Sequence, residues 1–278
     1  MKPEKYQQLL KKKKDGIPLT MITAYDYPTA RIEQEAGIDV ILVGDSVGTN
    51  VLGYRSEQEV TMSDMLHHLK AVVRGAPDGF IMVDIPYNGA RDPFEAFENA
   101  RILVDAGADM VKIEGWEDKK TVVGYLAEKG IPVCGHIGYN PQFHGPKGRI
   151  FGKDPAGALQ LLRSARVLEQ AGAQMFIVEK VPEELARSIT SNCTVPIIGI
   201  GSGRFCDGQV LVVHDIIGLA GRPFKHAREY ANVGAIMADA VQHYKREVES
   251  RVFPAEEHVS HISAETTAVL YRETGRTP

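Results

Sequence analysis

The amino-acid sequence predicts an α/β chain folded as a single (β/α)8 TIM barrel. Three observations carry this prediction. Eight short apolar runs, each the length of a buried strand, recur along 278 residues, a length that one such barrel fills. Amphipathic helix-like stretches separate most of them, as parallel pairing requires. The step from helix to strand also repeats, as Glu35-Ala36-Gly37-Ile38-Asp39, Asp105-Ala106-Gly107-Ala108-Asp109 and Gln170-Ala171-Gly172-Ala173-Gln174. In each, the glycine adopts the left-handed backbone that ends a helix and returns the chain to the sheet. A doubly wound open sheet is the alternative, but no GxGxxG follows the first run.

The expected strands are LTMITA (19–24), VILVG (40–44), FIMVDI (80–85), MVKIEG (110–115), VCGHIG (133–138), MFIVEK (175–180), PIIGIG (196–201) and VLVVHDIIG (210–218). Their near-continuous apolar character suits strands covered on both faces. Before the first lies MKPEKYQQLLKKKKDG, whose Lys11–Lys14 run reads as a solvated helix end. Residues 93–108 and 155–173 read as helices, with Pro93 and Pro155 in the first turn, each after an aspartate able to cap it. The connection between the last two strands is too short for a full helix. Residues 226–249 read as one long final helix. The domain division expected is a barrel over 1–255 and a polar, irregular tail over 256–278.

Lys plus Arg number 32 and Asp plus Glu 36, a formal charge of −4, which offers no electrostatic basis for binding nucleic acid or an anionic membrane surface. No apolar run approaches the roughly 20 residues of a membrane span. The basic start lacks a signal-peptide core. Cys134, Cys193 and Cys206 show no CxxC spacing and read as reduced thiols. A cytoplasmic protein is expected.

Polar residues collect where the strands end. Asp45 follows the second strand, Asp84 ends the third, Lys112 and Glu114 the fourth, His136 the fifth and Glu179 the sixth. In a barrel these ends lie side by side on the face where active sites form. Side-chain alternation puts Lys112 and Glu114 on one side of their strand and Val111 and Ile113 on the other. Such buried charges are costly unless they pair or bind a metal. Asp45, Asp84 and Glu114 supply hard oxygen donors, which favour Mg²⁺ or a Mn²⁺-like ion over zinc. An adjacent lysine points to a substrate bearing a carboxylate beside a carbonyl, and Glu179 stands apart as a base. The arrangement reads as a proton-abstraction site that stabilises an enolate.

Taken together, VGDSVGTNVLGY, VTMSDMLHHLKAV, DIP, VKIEG, HIGYNPQ, VEKVP and GIGSG with DGQVLV resemble the 3-methyl-2-oxobutanoate (ketopantoate) hydroxymethyltransferase family, over roughly residues 3–255. The resemblance implies a barrel of the phosphoenolpyruvate/pyruvate type and a homo-oligomer, commonly a decamer, with one Mg²⁺ per subunit. It implies transfer of a one-carbon unit from 5,10-methylenetetrahydrofolate to 3-methyl-2-oxobutanoate, giving 2-dehydropantoate on the path to pantothenate. By position, Asp45, Asp84 and Glu114 match the family's metal-associated acids. Asp45, Ser46, Asp84 and Lys112 match groups around the keto acid, and His136 a pocket histidine. Glu179 matches the proton acceptor. The chain departs from the family's pattern at Tyr87-Asn88-Gly89-Ala90, beside Asp84.

Two rivals share the architecture. A lyase or phosphomutase of the isocitrate lyase type would use similar acids, but its KKCGH signature is absent and Cys134 lies within a strand. A non-catalytic scaffold would have replaced the acids. Other features have plain readings: GIGSGR (199–204) as a tight turn or anion cradle, His67 and His68 as surface or packing residues, and Lys147–Arg149 as a solvated loop or part of a lid. His214 and Asp215 either line the pocket or form a hydrogen-bonded core pair.

Overall fold

The computed structural model describes residues 3–145, 148–221 and 224–275; Lys147 lies outside them. Eight parallel strands close into a barrel in chain order. They are β1 Leu19–Thr23, β2 Val40–Val43, β3 Ile81–Asp84, β4 Met110–Glu114, β5 Val133–Gly138, β6 Met175–Glu179, β7 Ile197–Ile200 and β8 Gly208–Leu211. The helices are α1 Pro3–Lys14, α2 Tyr27–Glu35, α3 Met62–Gly75, α4 Pro93–Asp105, α5 Lys120–Glu128, α6 Pro141–His144, α7 Pro155–Ala171, α8 Glu183–Asn192, α9 Val213–Ile216, α10 Val233–Glu249 and α11 Ala264–Thr274. No helix joins β7 to β8.

Local chemistry sets these boundaries. The Asp92 carboxylate accepts from Phe94 N and Glu95 N, both at 3.0 Å, and Asp154 from Gly157 N at 2.9 Å. These bonds satisfy first-turn N–H groups that have no partner within the helix. Strand alternation then sorts the apolar side chains into two cores. Met21, Val40, Leu42, Met82, Met110, Cys134, Met175, Ile177, Ile198 and Val210 fill the barrel's interior. Val43, Val83, Val111, Ile113, Phe176 and Val178 pack outward, among the helices.

Helix α1 belongs to the inner core, through Tyr6 and Leu9. Its polar residues bind groups that precede three strands: Lys5 to Asp109 at 3.0 Å, Lys12 to Asp39 at 2.5 Å and Lys13 to Asp207 at 2.6 Å. The expected solvated lysine run is therefore half committed. It ties α1 across the N-terminal end of the barrel, the end where residues serve stability.

Three expectations need correction. The run 210–218 is not one strand: Val213 N donates to Thr23 Oγ1 at 3.0 Å, and the chain leaves the ladder for α9. Residues 226–232 are not helical, because the Asn232 side chain accepts from Ala235 N at 3.0 Å and starts α10 there. The tail is not wholly irregular, since Ser263 caps α11 at Thr266 N and Gly275 ends it at φ 63°. The chain forms two compact units, 1–231 and 232–278. Among the described residues no helix is long and apolar enough to cross a membrane.

On α2, Glu33 is buried with neither carboxylate oxygen hydrogen-bonded among the described residues. Burial, then Asp26, raises its pKa from 4.5 to about 8. The folded chain therefore keeps a proton that the unfolded chain releases, and stability falls as pH rises between those values. Glu33→Met should raise unfolding free energy by about 1–3 kcal/mol at pH 8.5. Urea titrations should show that gain shrinking towards pH 5.

Candidate active site

The sheet register brings the predicted polar residues together. Asp84 pairs with Lys112, Lys112 with Cys134, Glu114 with His136, and Gly138 with Glu179. On each strand the polar residue sits two positions above an inner-core residue: Met82 below Asp84, Met110 below Lys112, Cys134 below His136 and Ile177 below Glu179. All four polar residues, with Glu114, are buried at the C-terminal end of the barrel.

They form one connected array. Lys112 Nζ lies 3.0 Å from Asp84 Oδ1, 3.6 Å from Glu114 Oε1 and 3.3 Å from His136 Nδ1. His136 Nδ1 is 3.1 Å from Glu114 Oε1, and its Nε2 faces Glu179 Oε2 at 3.4 Å. The environment tunes each group. Burial alone would lower the Lys112 pKa, but Asp84, Glu114 and Asp45 outweigh it and raise it. Burial would raise Glu114, yet His136 and Lys112 hold it below its ordinary value. Burial and Lys112 oppose a charge on His136, while Glu114 and Glu179 prevail and raise its pKa.

Asp45 is turned into the array from the segment after β2. Its backbone N donates to Asp84 Oδ2 at 2.9 Å. Burial, then Asp84 and Glu114, pushes its pKa well up. Ser46 Oγ is 2.8 Å from Tyr25 OH. A cavity of about 320 Å³ opens onto Asp45, Ser46, Asp84, Lys112, Glu114, His136 and Glu179 together.

Gln142 was missed in the sequence. From α6 its side-chain amide donates to Asp45 Oδ2 at 2.7 Å and Ile85 O at 3.1 Å. Its backbone N donates to Glu114 Oε2 at 3.0 Å. One residue after β5 thus clamps acids from β2 and β4. Only its place in HIGYNPQ, straight after a strand end bearing His136, marked the segment.

Glu179 depends on Gly138. A Cβ at Gly138, which has φ 91°, would lie 2.3 Å from Glu179 O, and Tyr139 N donates to that same oxygen at 2.8 Å. The end of β5 therefore docks on the backbone that carries Glu179. Lys180 Nζ lies 3.7 Å from Glu179 Oε1 and 3.8 Å from the centre of the Tyr139 ring.

A divalent ion fits part of this donor set. Asp45 Oδ1 accepts no hydrogen bond among the described residues, and the buried Asp84 Oδ1 faces only the Lys112 ammonium, at 3.0 Å. Both Glu114 oxygens already have protein partners. No three His, Cys, Asp or Glu side chains form a ready-made cage among the described residues. Two carboxylates with otherwise open positions suit a hard ion that keeps several waters.

Of the lesser features, GIGSGR is a turn: Ser202 Oγ donates to Val178 O at 2.7 Å, and Arg204 pairs with Glu183 at 2.7 Å. His68 Nδ1 lies 2.6 Å from Tyr25 O. Asp215 lines the cavity, while the His214 ring packs on Tyr25. The Tyr87–Ala90 loop is not among the cavity's walls; Tyr87 packs edge-on against Phe143.

The family profile described as ketopantoate hydroxymethyltransferase matches residues 4–256. The chain belongs to the ketopantoate hydroxymethyltransferase family. It is accordingly a hydroxymethyltransferase. The 3-methyl-2-oxobutanoate hydroxymethyltransferase of Thermotoga neapolitana is 51% identical over 90% of this chain and 94% of its own. That of Shigella dysenteriae serotype 1 is 45% identical over 94% of this chain and 100% of its own. Among solved structures, phosphonopyruvate hydrolase aligns over 98% of this chain and 99% of its own, with TM-score 0.63 and 11% identity. For 2,3-dimethylmalate lyase, of the PEP mutase/isocitrate lyase superfamily, the shares are 98% and 94%, with TM-score 0.59 and 15% identity. These two show the shared barrel.

Gln142→Ala leaves two buried acceptors without a donor and should cost about 1–3 kcal/mol. Gln142→Glu should cost more, because it sets a carboxylate against Asp45. Urea unfolding of both variants at neutral pH measures the order.

Proposed function

We propose that this hydroxymethyltransferase moves a one-carbon unit from 5,10-methylenetetrahydrofolate to 3-methyl-2-oxobutanoate, giving 2-dehydropantoate for pantothenate biosynthesis, with one Mg²⁺ per subunit. The observation that carries this reading is the buried array Asp84–Lys112–Glu114–His136–Glu179 opening on a single cavity. Family membership supplies the substrate names.

Asp45 and Asp84 would hold the ion, with Glu114 braced behind them by His136 and the Gln142 backbone. When bound, the ion supplies Lewis-acid chemistry at the keto oxygen, which acidifies the neighbouring C–H. Lys112 and Ser46 bind the carboxylate end and orient the substrate. Glu179 takes the proton from the branched carbon next to the carbonyl, and the pair left on that carbon attacks the donor's methylene. The methylene and one water together become the hydroxymethyl group, releasing tetrahydrofolate. His136, between Lys112 and Glu179, orients the base.

We also propose a cytoplasmic homo-oligomer, a decamer by family resemblance. Three unpaired cysteines support the compartment. Ile236, Met237, Val241, Tyr244 and Val248, exposed along α10, support assembly.

The reading is tested by deuterium exchange at the branched carbon of 3-methyl-2-oxobutanoate, followed by proton NMR. Exchange should be fast with Mg²⁺ and stop on chelation. Glu179→Gln should slow it by about 10²–10⁴-fold while calorimetry still detects Mg²⁺ binding. Asp84→Ala should lose both. Unchanged exchange in Glu179→Gln would remove that residue as the base, and silence in the unaltered protein, with folate added, would overturn the reaction.

A further inference from the structure

The cavity has two chemically different sides. One is the array on β3 to β6. The other is walled by Leu211, Val212, Asp215, Phe224 and His226, from β8 and the chain after it, and the chemistry above assigns it no partner. In a closed barrel of eight strands in chain order, β8 stands across from β4, which carries Lys112 and Glu114. A small keto acid held at β4 therefore leaves this opposite wall free.

Asp215 is the anomaly of that wall. Its Oδ1 is sealed from solvent yet has no hydrogen-bond partner among the described residues. Buried acceptors are normally satisfied. The adjacent His214 does not serve, because its ring packs on Tyr25 at 5.5 Å and its own Nδ1 is likewise unpartnered. Burial pushes the Asp215 pKa up, as expected of a carboxylate lacking a donor. A ready-made metal cage does not explain it, since no group of three His, Cys, Asp or Glu side chains includes it among the described residues. On the same wall the Phe224 and His226 rings stack at 5.5 Å and 23°, and Phe224 is half exposed. The wall thus combines a flat aromatic surface with a carboxylate that lacks donors.

We propose that Asp215 is the recognition point for the one-carbon donor. Its carboxylate turns to bring the sealed Oδ1 to the cavity that Asp215 lines, and accepts hydrogen bonds from adjacent N–H groups on the edge of a flat heterocycle, the 2-amino-4-oxo edge of a pterin, with the ring face against Phe224 and His226. The assignment rests on the reading of the donor as a tetrahydrofolate. A carboxylate facing two parallel N–H donors is a strong and directional pairing. It also places the two substrates on opposite walls, with the reacting carbons between.

The test is direct binding of tetrahydrofolate to the full chain by calorimetry, with keto-acid exchange measured in parallel. Asp215→Asn and Asp215→Ala should weaken tetrahydrofolate by about 10- to 100-fold, at least ten times any change in exchange rate. A pterin analogue with methyl in place of the 2-amino group should bind the unaltered protein more weakly than tetrahydrofolate does, while Asp215→Asn should no longer discriminate between them. Equal tetrahydrofolate affinity in the variants, a parallel fall in exchange, or retained discrimination would overturn the assignment and leave the donor reading intact. If the unaltered protein catalyses exchange but never binds tetrahydrofolate, the donor reading fails, and the Asp215 assignment with it.

Discussion

One ammonium group, Lys112 Nζ, governs this end of the barrel. It lies among three buried carboxylates and beside a buried imidazole, a set that no folded chain keeps in a dry interior without mutual neutralisation. Lys112 is 3.0 Å from Asp84 and 3.6 Å from Glu114, and these acids raise its pKa above the ordinary value. Its charged form is thus favoured, and Glu114 is in return held below its ordinary pKa by His136 and Lys112. The balance remains incomplete at Asp45, whose pKa is pushed up by burial and then by Asp84 and Glu114. The cation proposed to bind at Asp45 and Asp84 would offset that imbalance.

The scaffold serves this array by keeping rigidity and chemistry at opposite ends. Below, α1 seals the barrel with Tyr6, Leu9 and ion pairs to residues preceding β2, β4 and β8. Above, the upper residues of each strand are fixed by inter-strand register, which cannot slip without turning the interior column outward. Gln142 and Gly138 lock the two parts that register alone leaves loose, the Asp45 segment and the Glu179 backbone. Gly138 ends β5 and Gln142 follows on α6, so that this one stretch of chain fixes acids at the ends of β2, β4 and β6.

What could be read from the sequence follows from this division. Strand periodicity is local, so Lys112 and Glu114 could be placed on one side of β4 from their spacing alone, and the same holds for Met175, Ile177 and Glu179. Contacts that depend on where a loop returns were not legible. Nothing in NPQ says that Gln142 reaches Asp45, ninety-seven residues earlier. Nor did the apolar run VLVVHDIIG show that Thr23 would capture Val213 N and end β8 early. The lysine run at the end of α1 looked solvated because its acidic partners, Asp39 and Asp207, are remote in sequence. The polar tail concealed α11, whose signals were only its cap at Ser263 and its stop at Gly275.

The barrel alone does not decide the chemistry. Solved neighbours at 11–15% identity share it with TM-scores of 0.59–0.63, and a fold carries many reactions. In the proposed reading, the chemistry depends on how Glu179 is placed relative to the positive charge. A carboxylate paired directly with Lys112 would be a poor base, because the ammonium would stabilise its anion. Here His136 stands between them, 3.3 Å from Lys112 and 3.4 Å from Glu179. The nearer ammonium, Lys180, is 3.7 Å from Glu179 but shares its charge with the Tyr139 ring face at 3.8 Å. The proposed base thus meets the array through His136 and not through Lys112, the group proposed to bind the substrate carboxylate. That separation of roles, one cation for binding and one carboxylate for the proton, is what the proposed enolisation requires of strands fixed by register.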